Sequence, residues 1–150
     1  MIDANVVILS FAPDTTLDAQ IIPVAEAARS FLLVAVEELC ALHVPWVFFS
    51  EVTNTITRQQ YAGNLTLEQA DLMLESILGL PWLPSTPRWG EVVKITRDLG
   101  RAKSGDSEYL AVAIATGATL ITADERLGIN AKSRKLTYPI LPVLEHPWAK

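Results

Sequence analysis

At 150 residues, half of them hydrophobic, the chain is long enough to close one core around its own elements, and residues 1–150 read as a single domain. The lone Cys40 excludes an internal disulfide framework and suits a reducing, cytoplasmic setting; no basic leader marks a secretory signal, and Glu37 and Glu38 interrupt the one long greasy stretch, which argues against a membrane span. The net charge of −5 hides a division, because residues 1–87 carry 2 basic and 10 acidic side chains while residues 88–150 carry 10 and 7, which permits a local patch for an anionic ligand in the C-terminal part.

In chain order, IDANVVIL is short and β-branched and reads as a strand, followed by a loop, APDTTLDAQ. PVAEAARSFLLVAVEELCALH has the length and the Ala, Leu and Glu content of a helix. VPWVFF is strand-like, and Ser50 stands where it can cap a helix over SEVTNTITRQQY. Gly63 and Asn64 make a turn. In TLEQADLMLESILG, Thr66 and Gln69 have capping-box spacing and apolar residues recur at helical intervals. LPWLPS is a short proline-marked strand or extended connection, and WGEVVKITRDLGRA a helix. DSEYLAVAIATG opens another helix, stopped at Gly117 and apolar nearly all round, hence buried. ATLITA and YPILPVL supply later strands. Alternation of this kind predicts an α/β domain with a mostly parallel central sheet covered by helices on both faces.

Four acids fall at one kind of place in that pattern. Asp3 lies in or just after the first strand, Asp124 after a later one, and Glu51 and Asp106 at helix beginnings. Strand ends and helix starts share one edge of an open parallel sheet, and the functional crevice forms there. Carboxylates crowded together raise one another's pKa, and a cation relieves the crowding. Oxygen donors with no His or Cys nearby in sequence favour Mg²⁺ or Mn²⁺ over zinc. Taken singly, each acid is explained as a cap or turn residue; their common topological position is what shifts the balance. His43 and His146 are far apart and lack the spacing of a zinc site or a Ser-His-Asp triad, and no phosphate-binding P-loop is present. Trp46 and Trp82 are expected in or beside the core, whereas Trp89 and Trp148 could meet a partner or stack on a base.

Through IDANVVI with Asp3, SEVTNTITR with Glu51, and GDSEYLAVAIATGATLITAD with Asp106 and Asp124, the chain resembles the PIN-domain ribonucleases, especially the small VapC-like toxins of type II toxin-antitoxin pairs. The resemblance runs through nearly the whole chain and implies a PIN-like three-layer α/β/α domain. It implies a Mg²⁺- or Mn²⁺-dependent endoribonuclease in which Asp3, Glu51, Asp106 and Asp124 form the metal centre, with Asn5 and Thr122 hydrogen-bonding behind them. RNA is the implied substrate, a cognate antitoxin the implied partner, and a homodimer the implied assembly. Lys103 and Arg126 are candidate RNA contacts, alongside Arg101, Lys132, Arg134 and Lys135. Glu108, two residues after Asp106, is an extra ligand or a surface residue, with the surface role preferred. An RNA-processing PIN nuclease with no toxin role, and a non-catalytic RNA- or protein-binding PIN domain, remain the alternatives.

Overall fold

IDANVVIL, expected as a strand, is mostly helix: helix α1 spans Ala4–Phe11, and the Asp3 side chain accepts from the Asn5 amide at its N-terminus. Only Ile2 keeps strand character, bridging Ile121 in parallel, with Asp3 N–H donating to the Ile121 carbonyl at 3.0 Å. The β-branched content that suggested a strand serves packing instead, since Val6 and Val7 are completely buried on the helix, and burial overrides an intrinsic preference of a few tenths of a kcal/mol. The computed structural model describes residues 1–100 and 104–149.

Helix α2 (Ile22–Glu37) follows, with Pro23 in its first turn, where a missing N–H is harmless. Strand β1 (Leu42–Pro45) is shorter than VPWVFF suggested, because helix α3 (Val47–Tyr61) begins directly after it. Pro45, which has no N–H to donate to the ladder, is the last residue of the strand. Ser50 therefore lies inside α3 rather than capping it, and Glu51 sits in the second turn rather than at the helix start. Helix α4 (Leu67–Leu78) starts on the expected capping box, with reciprocal bonds of 2.9 and 3.1 Å between Thr66 and Gln69. Strand β2 (Trp82–Ser85), helix α5 (Trp89–Leu99), helix α6 (Gly105–Thr116), strand β3 (Leu120–Thr122), helix α7 (Glu125–Ser133) and strand β4 (Ile140–Pro142) complete the order.

The strand core is parallel throughout the described residues. β1 pairs with β2, with Leu42 opposite Trp82, and β3 pairs with β4, with Leu120 opposite Ile140. The strands are three or four residues long and hold Pro45, Pro84 and Pro142, so they form two short pairs rather than one continuous sheet. Helices flank them, and Phe48, Tyr109, Leu110 and Leu120 belong to one hydrophobic cluster that reaches from Met1 to Val143. Helix α6 is buried from Tyr109 to Ala113, but its last turn, Ile114 to Thr116, is exposed before Gly117 ends it at φ +67°. Trp82 is in the core, beside Phe48, and its indole N–H donates to the Ile77 carbonyl at 2.7 Å. Trp46 is not: it is 60% exposed. No helix among the described residues is long and apolar enough to cross a membrane.

Candidate active site

Asp3 stands where the chain changes from the Ile2 bridge to α1, and it is the most deeply buried acid of the molecule's acidic edge. The Thr122 hydroxyl donates to its Oδ2 at 2.6 Å from the end of β3. Burial pushes the Asp3 carboxyl up to about 7, and the charges of Glu51 and Asp106 act in the same direction, against the bonds from Thr122 and the Asn5 amide. Asn5 ties the neighbouring loop down, its Oδ1 accepting from the Ala123 amide at 3.0 Å.

Glu51 projects from α3 toward the start of α6. The buried Tyr109 hydroxyl donates to Glu51 Oε2 at 2.7 Å, and burial together with the charges of Asp106 and Glu108 raises the Glu51 pKa while that bond lowers it. Tyr109 is a site residue that sequence reasoning missed. Its signal was its position: three residues after Asp106, it lies on nearly the same face of α6. Gly105 is the other. A Cβ there would come 3.0 Å from Glu51 Oε1, so the absence of a side chain admits the carboxylate. Gly105→Ala is expected to leave stability equal or raise it by up to about 1 kcal/mol through helix propensity, while displacing Glu51 by a few tenths of an ångström. Thermal unfolding and a cleavage assay on the same variant check this, and lower cleavage with undiminished stability is the expected pair of results.

Asp3, Glu51 and Asp106 come from three separate helical elements and line one open cavity of about 550 Å³. Asp106 lies in the first turn of α6, where a helix N-terminus favours a carboxylate. Their chemistry suits a hard divalent cation: the donors are all carboxylate oxygens, and one of them is buried against two other acids and held near neutrality. Their positions do not enclose one, since among the described residues no three Asp, Glu, His or Cys side chains are grouped so as to hold a metal ion.

Asp124 is joined to Asp3 through Thr122, whose hydroxyl oxygen accepts from the Asp124 amide at 3.0 Å and donates to Asp3 Oδ2. It is the N-cap of α7, its Oδ1 accepting from the Arg126 amide at 2.9 Å and from Arg126 Nε at 3.3 Å, and it lines a neighbouring cavity together with Asn5. The two cavities share Asn5, Leu9 and Ile21. Of the basic residues singled out in the sequence, Arg126 is paired with Asp124, with its side chain 90% exposed. Arg134 is committed to structure: its Nε donates to Asn130 Oδ1 at 3.0 Å and its guanidinium lies against Gly100, at φ +61° the end of α5. Lys132 and Lys135 are exposed, and Lys103 and Arg101 lie outside the described residues. Glu108, preferred as a surface residue, is half-buried and accepts from the Ser104 hydroxyl at 3.3 Å.

The family described as PIN domain matches this chain over residues 1–132. None of the curated proteins matches it.

Proposed function

The chain belongs to the PIN-domain family, and from that premise we propose that it is a Mg²⁺- or Mn²⁺-dependent endoribonuclease, the toxin of a toxin-antitoxin pair, working in the cytoplasm as a homodimer restrained by a small antitoxin. The observation that carries the enzymatic part is the convergence of Asp3, Glu51 and Asp106 on one open cavity, with Asp3 buried. A nuclease-like fold with a partly buried acidic wall suits phosphodiester hydrolysis, in which negative charge grows on the phosphate.

Asp3, Glu51 and Asp106, which suit a cation in chemistry though not in their present spacing, would have to draw together to hold the metal, with Asp124 joining them if it releases Arg126. The cation supplies charge compensation for the phosphate and a lowered pKa for the attacking water. The chain's own contribution is positioning. Thr122 fixes the rotation of the Asp3 carboxylate, Tyr109 fixes that of Glu51, and Asn5 anchors the loop after β3 against α1. Glu51 and Asp106, both less buried than Asp3, are the candidate proton acceptors for water at the cavity wall.

Purified protein incubated with structured RNAs and Mg²⁺ or Mn²⁺ is expected to cut them, to stop with excess chelator, and to lose at least about a hundredfold in rate in Asp106→Asn. Undiminished, protein-intrinsic cleavage in chelator would falsify the metal mechanism. The toxin part has its own test: co-purification from the native host is expected to bring down a small partner, and sedimentation at micromolar concentration is expected to give a dimer.

A second reading, a PIN domain that binds without cutting, draws support from the Asp124 carboxylate being engaged with Arg126. Asp124→Asn separates the two. Asparagine caps a helix as well as aspartate, so stability should stay within about 0.5 kcal/mol of the parent. If Asp124 joins the metal in the working enzyme, Mg²⁺ will protect the variant less against unfolding and cleavage will fall sharply. Parent-like protection and cleavage would leave Asp124 as the cap of α7 alone.

A further inference from the structure

Asp3, Glu51 and Asp106 are only three of the residues that line the cavity. A volume of about 550 Å³ lies within the range of roughly 300–1,000 Å³ usual for sites that enclose an organic ligand, and exceeds what a cation and one phosphate fill. The lining also carries aliphatic side chains: Ile8 of α1, Leu17 of the following loop, Leu65, and Met73 of α4. On the remaining side stand Thr55, Arg58 and Gln59, on the same helix as Glu51. At a rise of about 1.5 Å per residue, Thr55 and Arg58 stand roughly 6 and 10 Å along α3 from Glu51, and spacings of four and seven residues keep all three on one face.

Arg58 is chemically conspicuous there. It is one of two basic residues in a half of the chain with ten acids, and the other, Arg29, is bound to Asp14 at 2.7 Å. Arg58 itself has only a 3.4 Å bond to Thr55 Oγ1 and no carboxylate partner among the described residues. Beside it, the Gln59 side-chain oxygen accepts from the Asn64 amide at 2.6 Å, so that amide group is oriented by a neighbour rather than free to turn. A guanidinium two helical turns from the acidic wall reaches a phosphate next to the one being cut. The aliphatic space between them matches the flat apolar face of a base lifted out of its stack, and an oriented amide can read a base edge.

We propose that this arm of the cavity, between α1, α3 and α4, is a nucleobase subsite in which one unstacked base is seated while Arg58 holds the flanking phosphate. The proposal rests on the ribonuclease reading for the position of the scissile phosphate. A duplex is disfavoured, because a stacked and paired base must first be unstacked and unpaired before it can enter.

Binding measured separately from cutting keeps the proposal and that reading distinguishable. The probes are a fluorescein-labelled single-stranded oligoribonucleotide of mixed sequence, the same ribose-phosphate chain with every base removed, and the duplex, each titrated in chelator by fluorescence anisotropy. The single strand is expected to bind about tenfold more tightly than either of the others, the scale of one buried base. Leu17→Trp, which fills the arm, should abolish that preference while leaving the weak binding of the abasic chain. Thr55→Trp fills it from the α3 wall and guards against a local fault in the loop; both variants should unfold like the parent. Arg58→Gln should weaken all three probes by a similar factor and flatten the salt dependence by about one ion. Equal binding of the single strand and the abasic chain overturns the proposal, as does a preference that survives both filling variants. Binding to none of the probes also overturns it and gives the arm to a protein partner. Base-dependent binding without cleavage would support the subsite and sink the nuclease reading alone.

Discussion

Asp3→Asn is expected to abolish cleavage and yet to make the metal-free protein more stable at about pH 8. Both effects come from one carboxyl. Burial pushes the Asp3 pKa from 3.8 up to about 7, so between those values the folded chain keeps a proton that the unfolded chain has already released. Stability therefore falls as pH rises through that window, is fully present below it, and changes no further above it. A shift of about three units corresponds to roughly 4 kcal/mol in total, at about 1.4 kcal/mol per unit. Glu51, whose pKa is also raised by burial, adds to the same slope. Asparagine at position 3 stays neutral, can still accept from the Thr122 hydroxyl, and removes most of the slope. Urea unfolding of parent and variant at several pH values in chelator measures it: the curves should coincide near about pH 4 and separate in the variant's favour above it. Added Mg²⁺ should restore the parent and leave the variant nearly unmoved. A parent whose stability is level across this range would mean that Asp3 ionises without penalty, and would remove the electrostatic reason for a cation at the site.

Replacing Tyr109 should have the next largest effect, and two variants divide it. Tyr109 is among the largest fully buried side chains and carries the hydroxyl that holds Glu51. Tyr109→Ala leaves a ring-sized void and is expected to cost about 3–5 kcal/mol. Tyr109→Phe refills the void and should recover most of that stability. What it does not recover is the O–H donor. Because that bond favours the charged form of Glu51, the Phe variant should raise the Glu51 pKa, and the acidic limb of the cleavage pH profile should move to higher pH. Cleavage at neutral pH should fall by about tenfold or more in a protein that unfolds nearly like the parent. An unshifted profile in Tyr109→Phe would reduce Tyr109 to packing.

Some elements were legible because their signals are local. Thr66 and Gln69 sit three residues apart and bond to each other, so the start of α4 could be read without knowing what it packs against. Gly117 ends α6 because a left-handed residue is needed there, and that too is a property of a short stretch. The parallel strand core flanked by helices followed from the alternation of such segments. The errors came where a local preference met a distant partner. IDANVVIL has the β-branched residues of a strand, but only Ile2 finds a ladder, on Ile121, and the rest becomes helix because Val6 and Val7 are buried more completely that way. VPWVFF failed similarly: β1 pairs with β2 only as far as Pro45, and α3 takes Trp46 out to solvent and Glu51 into a second turn.

The chain by itself narrowed which acids could matter, since their types and order are written in the sequence, although it put Glu51 at a helix start and the structure puts it a turn further in. The tertiary structure alone decided what each acid faces. Asp3, Glu51 and Asp106 are separated by dozens of residues and share a cavity only because α1, α3 and α6 bring them to it, whereas Asp124, equally prominent in sequence, turns to cap α7 and meet Arg126. The physical reason is that burial, desolvation and mutual repulsion depend on distance through space and on the water excluded along the way. No spacing along the chain contains those quantities, and they alone push Asp3 up to about 7 and make its neighbours count.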